Sequence, residues 1–491
     1  MRHYLTVRPD RVLLCSLAGV LMLVGSAPMG APMMRLAAAQ GAVVQAPALP
    51  GAQPISGRDR VYTADQTSNT VTVINPATDE VLGTLAMGAQ RLDGLLGARY
   101  YGEMDTHGLV FSPDGSLLDV INVTTNSAVL VDAATNTIRD KFYVGRAPHE
   151  GFITPDGREL WIAVRGQNWV TVIDLHRAEQ LDNLPDGVDH DLLSEAITRI
   201  PTAAGPAMVI FSPDGRLAYV NHDRAPELDV IDVHSHRVVK RITGLDPGFS
   251  PNLAITPNGA EVWVTHKGTG RVSIIDARRL VLLATLTTGP VTNHVNFVSK
   301  PHGIFAYVTV GQTNKTLVYR TNGAHPVKVG EVVHSGFEPH GVWPSPDNTR
   351  AYVGLEKSDA VDVIDTDRLH VIDTLRVGQE PQALVYVANA VPQGNGRQGL
   401  TRQGLDQRVL TRDLAVAGGV VRVTVREVDT LDQVQVVARG LPPNARFSVQ
   451  LASPGQVTVI RQFTTNAQGG AEVFAFTEFF DAFSDVVVVP L

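Results

Sequence analysis

Four histidines stand at the same place in a repeating unit. A turn of the form Ser/Thr-Pro-Asp/Asn-Gly recurs along the chain, with small variations. The position five residues before its Ser or Thr is His107, His149, Ala207, Pro251, His294 and His340 in succession. Gln382 is the counterpart in the one unit without such a turn. Fifteen histidines in 491 residues would put fewer than one in seven arbitrary positions, so four is an excess. Imidazoles that converge from several units can ligate copper, zinc or iron without any thiolate. Glu150 and Glu338 stand close in sequence to two of them and are expected to orient their rings through hydrogen bonds. His222 and His266 are expected to end second strands on the same face, with Arg165 at a similar level. A competing reading makes these histidines part of the repeat's own grammar, each bonding a neighbouring backbone. The sequence leaves both open.

The elements that must position these side chains are short strands. Within each turn, Pro presets φ, Asp bonds back to the backbone, and Gly or Asn takes the left-handed conformation. The turns run through Ser112–Gly115, Thr154–Gly157, Ser212–Gly215, Thr256–Gly259, Ser299–Gly303 and Ser345–Asn348. Six residues after the turn proline comes an aromatic, at Trp161, Tyr219, Trp263 and Tyr352; Tyr307 holds the same place in its unit, and Asp119 takes the slot in another. The strand after it ends at Asn75, Asp132, Asp174, Asp232, Asp276, Arg320 and Asp365, with separations of 57, 42, 58, 44, 44 and 45. A base period of 42–45 with four strands per unit reads as the blades of a β-propeller.

Tyr219-Val220-Asn221, Trp263-Val264-Thr265, Tyr307-Val308-Thr309, Val71–Asn75 and Val170–Asp174 resemble the repeats of the YVTN β-propeller family. The resemblance covers residues 58–390 and implies an all-β, seven-bladed propeller. Arg60–Ala64 reads as a second strand without its inner strand, and Pro381–Asn389 as an inner strand without partners. The last segment is therefore expected to complete the first blade, removing exposed edges. A seven-bladed propeller with channel histidines is also similar to the copper-cluster domain of nitrous oxide reductase, more loosely to selenium-binding proteins, and in fold to quinoprotein amine dehydrogenase heavy chains. The first resemblance implies copper or another transition metal at His107, His149, His294 and His340.

Residues 1–39 read as a signal peptide, with Arg2, Arg8 and Arg11 ahead of an apolar run. The whole chain has 41 basic and 49 acidic residues; without Arg2, Arg8, Arg11, Arg35 and Asp10 the counts are 37 and 48, a net of −11. Such a charge gives no general pull toward nucleic acid. The single cysteine, Cys15, lies in that segment, so disulfides, thiolate metal sites and cysteine nucleophiles are excluded beyond it. Two insertions break the period. Ala89–Asp105, with Arg91, Arg99, Tyr100 and Tyr101, is expected on the face where inner strands begin, the top. Ala178–Ala196, with Asp182, Asp186, Asp189 and Asp191, is expected on the opposite face, as a solvated loop or a calcium site. Residues 391–409 read as a linker, and 410–491 as a small all-β, sandwich-like docking or stabilising domain.

Three functions follow as expectations. One is an exported, monomeric protein of the periplasm, cell surface or medium that binds a protein or small-molecule ligand through its top face and channel, with no transmembrane span after signal removal. Another is a His-ligated metalloprotein or oxidoreductase. The third is a lactone- or sugar-processing hydrolase.

Overall fold

The computed structural model describes residues 53–88, 106–182, 194–407, 409–428, 431–477 and 485–491. The expected signal segment 1–39, Arg91, Arg99, Tyr100, Tyr101, Asp186, Asp189 and Asp191 lie outside these residues; Asp182 closes a short helix, Leu175–Asp182. Among the described residues no helix is long and apolar enough to cross a membrane.

The local rules act as the sequence suggests. In the first turn Ser112 Oγ donates to Asp114 Oδ1 (2.6 Å) and accepts from the Leu117 amide (2.9 Å), while Gly115 takes φ +73°. The aspartates that end the third strands cap the next turn, as when Asp132 Oδ1 accepts from the Ala134 and Thr135 amides. Between these turns the strands are β-branched and apolar, and they pair antiparallel.

Among the described residues, 60–387 form seven four-stranded antiparallel sheets, numbered 1–7 in chain order. The leading strands of sheets 2–7 are Thr106–Phe111, Pro148–Ile153, Pro206–Phe211, Leu253–Ile255, Thr292–Lys300 and Pro339–Pro344. Each lies beside the next. Sheet 1 takes its leading strand from the far end of the repeat: Pro381–Val387 pairs with Arg60–Asp65, with Val61 opposite Tyr386 and Tyr62 opposite Val385. That strand in turn touches the leading strands of sheets 7 and 2, so the seven surround a channel. Asp59 fixes the junction, accepting from the Tyr386 hydroxyl (2.6 Å) and the Asn389 amide (2.8 Å).

Apolar faces of adjacent sheets are buried against one another, and the aromatic slot adds polar stitches between sheets. Tyr219 donates to the Ala277 carbonyl of sheet 5 and Tyr307 to the Thr366 carbonyl of sheet 7, both at 3.2 Å. Trp263 Nε1 donates to Glu261, whose other oxygen accepts from the Gly323 amide of sheet 6 (2.8 Å each).

The segment expected as a linker lies against the ring. Thr401 and Thr84 exchange backbone hydrogen bonds (2.7 and 2.9 Å), covering the outer edge of sheet 1. Gln403 Nε2 donates to the Ser68 and Gly88 carbonyls, and Asn136 Nδ2 to those of Gly396 and Gln398. Beyond it, a four-stranded sheet (Val409–Val416, Gly419–Val428, Leu431–Arg439, Ala471–Thr477) and a three-stranded one (Arg446–Ser453, Gln456–Thr464, Asp485–Pro490) share one apolar core around Val423, Val436, Phe447 and Val449.

Asp119 departs from the pattern. It occupies the aromatic slot of sheet 2, is fully buried, and neither carboxylate oxygen has a hydrogen-bond partner. Burial holds its carboxyl well above the usual carboxylate range. A folded state that prefers the proton loses stability as pH rises above the unfolded value of 3.8. Replacing Asp119 with Leu is therefore expected to stabilise the protein by about 1–3 kcal/mol at pH 7 and by less at pH 4, as read from urea unfolding at the two pH values.

Candidate metal centre at the channel mouth

The histidines owe their placement to a repeated irregularity. The pairing of leading and second strands shifts register between Thr106 and Gly108, Pro148 and Gly151, Pro206 and Met208, Thr292 and Val295, and Pro339 and Val342. In sheet 1 the shift falls opposite Thr63 and Asp65. The extra residues in these bulges include His107, His149 with Glu150, Ala207, His294, His340 and Gln382. A bulge re-aims side chains that a regular strand would alternate. Just before it, Ala147, Gly205, Val291, Glu338 and Glu380 adopt left-handed backbone, with φ from 51° to 68°. Such strain in non-glycine residues persists only where the surroundings fix it. Adjacent leading strands also approach closely: a Cβ on Gly108 would lie 2.4 Å from the His149 carbonyl oxygen.

The result is two ring pairs. His107 and His149 have centroids 4.4 Å apart, and His294 and His340 4.6 Å apart. All four are buried, between 2% and 6% exposed. His149 donates Nδ1–H to the Ala207 carbonyl (2.9 Å), and His340 donates Nδ1–H to that of Gln382 (3.2 Å). Each bond fixes a tautomer and leaves Nε2 as the lone-pair nitrogen, the form a metal needs. Donor atoms of His107, His149 and Glu150 lie within 4.8 Å of one another. Glu150 also reaches across, with Oε1 3.9 Å from His294 Nε2. The two pairs, distant in sequence, thus meet at one carboxyl group.

Electrostatics keep these rings neutral. Burial first, and nearby cations such as Arg165 and Lys267, hold the histidines below their ordinary value, His294 at about 3. Burial pushes Glu150 up to about 8, against a hydrogen bond from Asn252 and the charge of Arg165. Three or four residues further along the leading strands, Phe111, Phe152 and Trp343 of sheets 2, 3 and 7 stack or meet edge-on at 5.6–6.4 Å. A cavity of about 30 Å³ remains beside Glu150, Asn252 and His294, enough to hold a water molecule.

The other candidates are placed differently. His222 is held within sheet 4 by the Glu227 carbonyl (3.1 Å) and Asp229 (3.5 Å). His266 is satisfied at both nitrogens, by Ser250 (2.7 Å) and Ser273 (2.8 Å). Glu338 instead faces Arg439 (3.0 Å) and Lys267 (3.6 Å). Gln382 acts through its backbone, while its side chain donates to Gln66 (2.7 Å) and Glu356 (3.3 Å). Glu356, one residue past the second strand of sheet 7, is the acid that faces His340, with Oε2 3.8 Å from Nε2. Its sequence position matches no histidine and no turn, so the repeat gave no signal for it.

The C-terminal sheet docks beside this group. Its strand Gly419–Val428 alternates, with Val421, Val423 and Val425 in its own core and Arg422 and Arg426 on the other face. Arg426 grips Asp359 with two bonds (2.7 and 2.8 Å), and Arg422 lies over the Phe337 ring at 4.0 Å. Lys357 Nζ meets Glu356 (2.7 Å), Glu380 (3.2 Å) and, from the C-terminal sheet, Glu472 (2.9 Å). Burial alone would raise Glu356; Lys357 and Lys267 instead bring it down to about 2.

No protein-family model matches the chain. It is 29% identical to hydrazine synthase subunit beta of Kuenenia stuttgartiensis over 23% of its own length and 36% of that protein's. It is 23% identical to the protein NirF of Stutzerimonas stutzeri over 34% of its length and 42% of the relative's. The chain thus spans about two fifths of the curated relatives it matches. Among solved structures, Kuenenia stuttgartiensis hydrazine synthase superposes with a TM-score of 0.51 at 20% identity, covering 59% of this chain and 92% of that one. The fold is that of a β-propeller. The propeller places its bulged leading strands around one mouth, and the C-terminal sheet packs against the same side.

Lys357 balances two buried carboxylates, Glu356 and Glu380, and the exposed Glu472 at the join between propeller and C-terminal sheet. Its pKa stands well above the ordinary value because Glu356, Glu380 and Glu472 outweigh its burial. Lys357→Met is expected to cost about 3–5 kcal/mol at pH 7. The cost should be smaller at pH 4, where the abandoned carboxylates take up protons. Thermal unfolding at the two pH values measures both.

Proposed function

We propose that this chain is an extracytoplasmic, seven-bladed β-propeller that binds a transition-metal ion at its channel mouth, through His107, His149 and Glu150. One observation carries this reading: two buried imidazoles beside a carboxyl group, one with its tautomer fixed by a carbonyl of the neighbouring sheet and the other with a ring nitrogen left without a protein partner. His107 Nδ1 and His294 Nε2 have no hydrogen-bond partner although both are buried. An unpaired buried nitrogen costs about 1–3 kcal/mol, which a bound cation would offset. Two imidazoles with a carboxylate form a donor set found in zinc and non-haem iron sites, and imidazole also suits copper. Such a set leaves coordination positions open, so the ion can take up a further small ligand from the top face.

The export reading is supported by the basic, then apolar N-terminal sequence. The similarity to a protein named as a synthase subunit supports a propeller that works beside a partner. The C-terminal domain, in this reading, stabilises the mouth.

Protein purified from its native compartment is expected to carry stoichiometric copper, zinc or iron by mass spectrometry of the metals. His107→Ala and His149→Ala should each weaken binding of the ion at this set at least about 10-fold on titration, with the fold retained by circular dichroism. Protein that is metal-free as isolated, and stays so when titrated with all three ions, would overturn the reading.

A further inference from the structure

The mouth contains a second set of donors with the same composition as the first, spaced more widely. His107 and His149 stand on adjacent leading strands with Glu150 beside them. Across the channel, His294 and His340 also stand on adjacent leading strands, with Glu356 beside them. Each set is two imidazoles and one carboxyl group. We propose that the mouth holds two metal ions, the second bound by His294, His340 and Glu356, with Glu150 shared between the two. This rests on the metal reading above and extends it to a two-ion centre.

Three observations support the second ion. The first is a set of gaps. His340 Nε2 and Glu356 Oε2 are 3.8 Å apart, and His294 Nε2 and Glu150 Oε1 are 3.9 Å apart. Both are too long for hydrogen bonds. Two donors on one tetrahedral ion, each about 2.0–2.2 Å from it, lie about 3.3 Å apart, so a small contraction would seat a cation between them. The second is a matched pair of orphans. Glu356 Oε2 and His294 Nε2 are both buried, and neither has a hydrogen-bond partner. Burying such atoms without partners is costly, and a cation would supply the missing partner. The third is orientation. Glu356 Oε1 is already held by Lys357 (2.7 Å) and Gln382 (3.3 Å), which fixes the carboxylate and leaves Oε2 as the atom facing His340. His340 is fixed in turn by the Gln382 carbonyl. One residue of the closing strand therefore holds both a histidine and the acid opposite it.

Glu150 is the link. It belongs to the first set by proximity and reaches the second through His294. A carboxylate that bridges two ions is the usual way to hold them at the separation of about 3.5–4 Å used by two-metal hydrolytic and redox sites. A pair of ions there could clamp one small oxygen-containing ligand entering from the top.

The test is calorimetric titration of the metal-stripped, full-length protein with zinc. Wild type is expected to bind two equivalents. His294→Ala and Glu356→Gln should each bind one, the second step weakening at least about 10-fold, and His107→Ala should also bind one. Glu356→Gln disturbs the Lys357 cluster, so His294→Ala, which lies outside that cluster, carries the same test independently. A copper(II)-loaded sample should show magnetic coupling between ions by electron paramagnetic resonance, lost in Glu150→Gln. One equivalent in wild type that His107→Ala removes and His294→Ala leaves overturns the two-ion proposal and leaves the single-ion reading standing; one equivalent that His294→Ala removes and His107→Ala leaves overturns both. No zinc, copper or iron bound at all overturns both. Two equivalents without magnetic coupling overturn the shared Glu150.

Discussion

The pairing of Arg60–Asp65 with Pro381–Val387 joins segments more than 300 residues apart, and the geometry of the mouth depends on it. Each leading strand is positioned by its neighbours, so a gap between sheets 1 and 7 would let the whole set relax. Closing so long a loop is unfavourable in entropy, though the cost grows only slowly with length. It is offset by strand pairing, by the burial of Tyr62, Leu384 and Tyr386, and by Asp59, which ties both sides. Gln382 lies in this closing strand. The same strand that shuts the ring also orients His340 and steadies Glu356.

Charge is handled beside the mouth by pairing rather than by exposure. Buried carboxylates gather around Lys357 and Arg426, and the C-terminal sheet brings Arg426, Gln435 and Glu472 to meet them. Buried ion pairs gain little net stability when compared with apolar packing, but breaking one leaves a charge stranded. The interface is therefore specific in register. It holds the loop carrying Glu356 in one conformation, next to the histidines.

Much of this could be read from sequence because the repeat has a plain physical grammar. The Ser/Thr-Pro-Asp-Gly turns, the strand-ending aspartates and the aromatic slot each perform a local task that needs a given residue type, and the all-β, four-stranded units follow. The spacing also found His107, His149, His294 and His340 together, because equivalent positions in a repeat share a level in the ring. What it could not find was Glu356, whose role depends on a neighbouring sheet rather than on its own unit. Nor could it tell that Glu150 unites two pairs, since that requires the width of the channel. His222 and His266 carried the same sequence signal of level, but His266 is satisfied at both nitrogens and His222 faces Asp229 within its own sheet. Residues 391–407 looked like a tether because they lack apolar periodicity; they are held by backbone and side-chain hydrogen bonds, which leave no such trace.

Phe111, Phe152 and Trp343 come from sheets 2, 3 and 7, and their rings touch. Sheets 3 and 7 are not neighbours in the ring, nor are 2 and 7, so these contacts act as spokes rather than as rim. A displacement of one leading strand is then felt directly by another that shares no hydrogen bond with it.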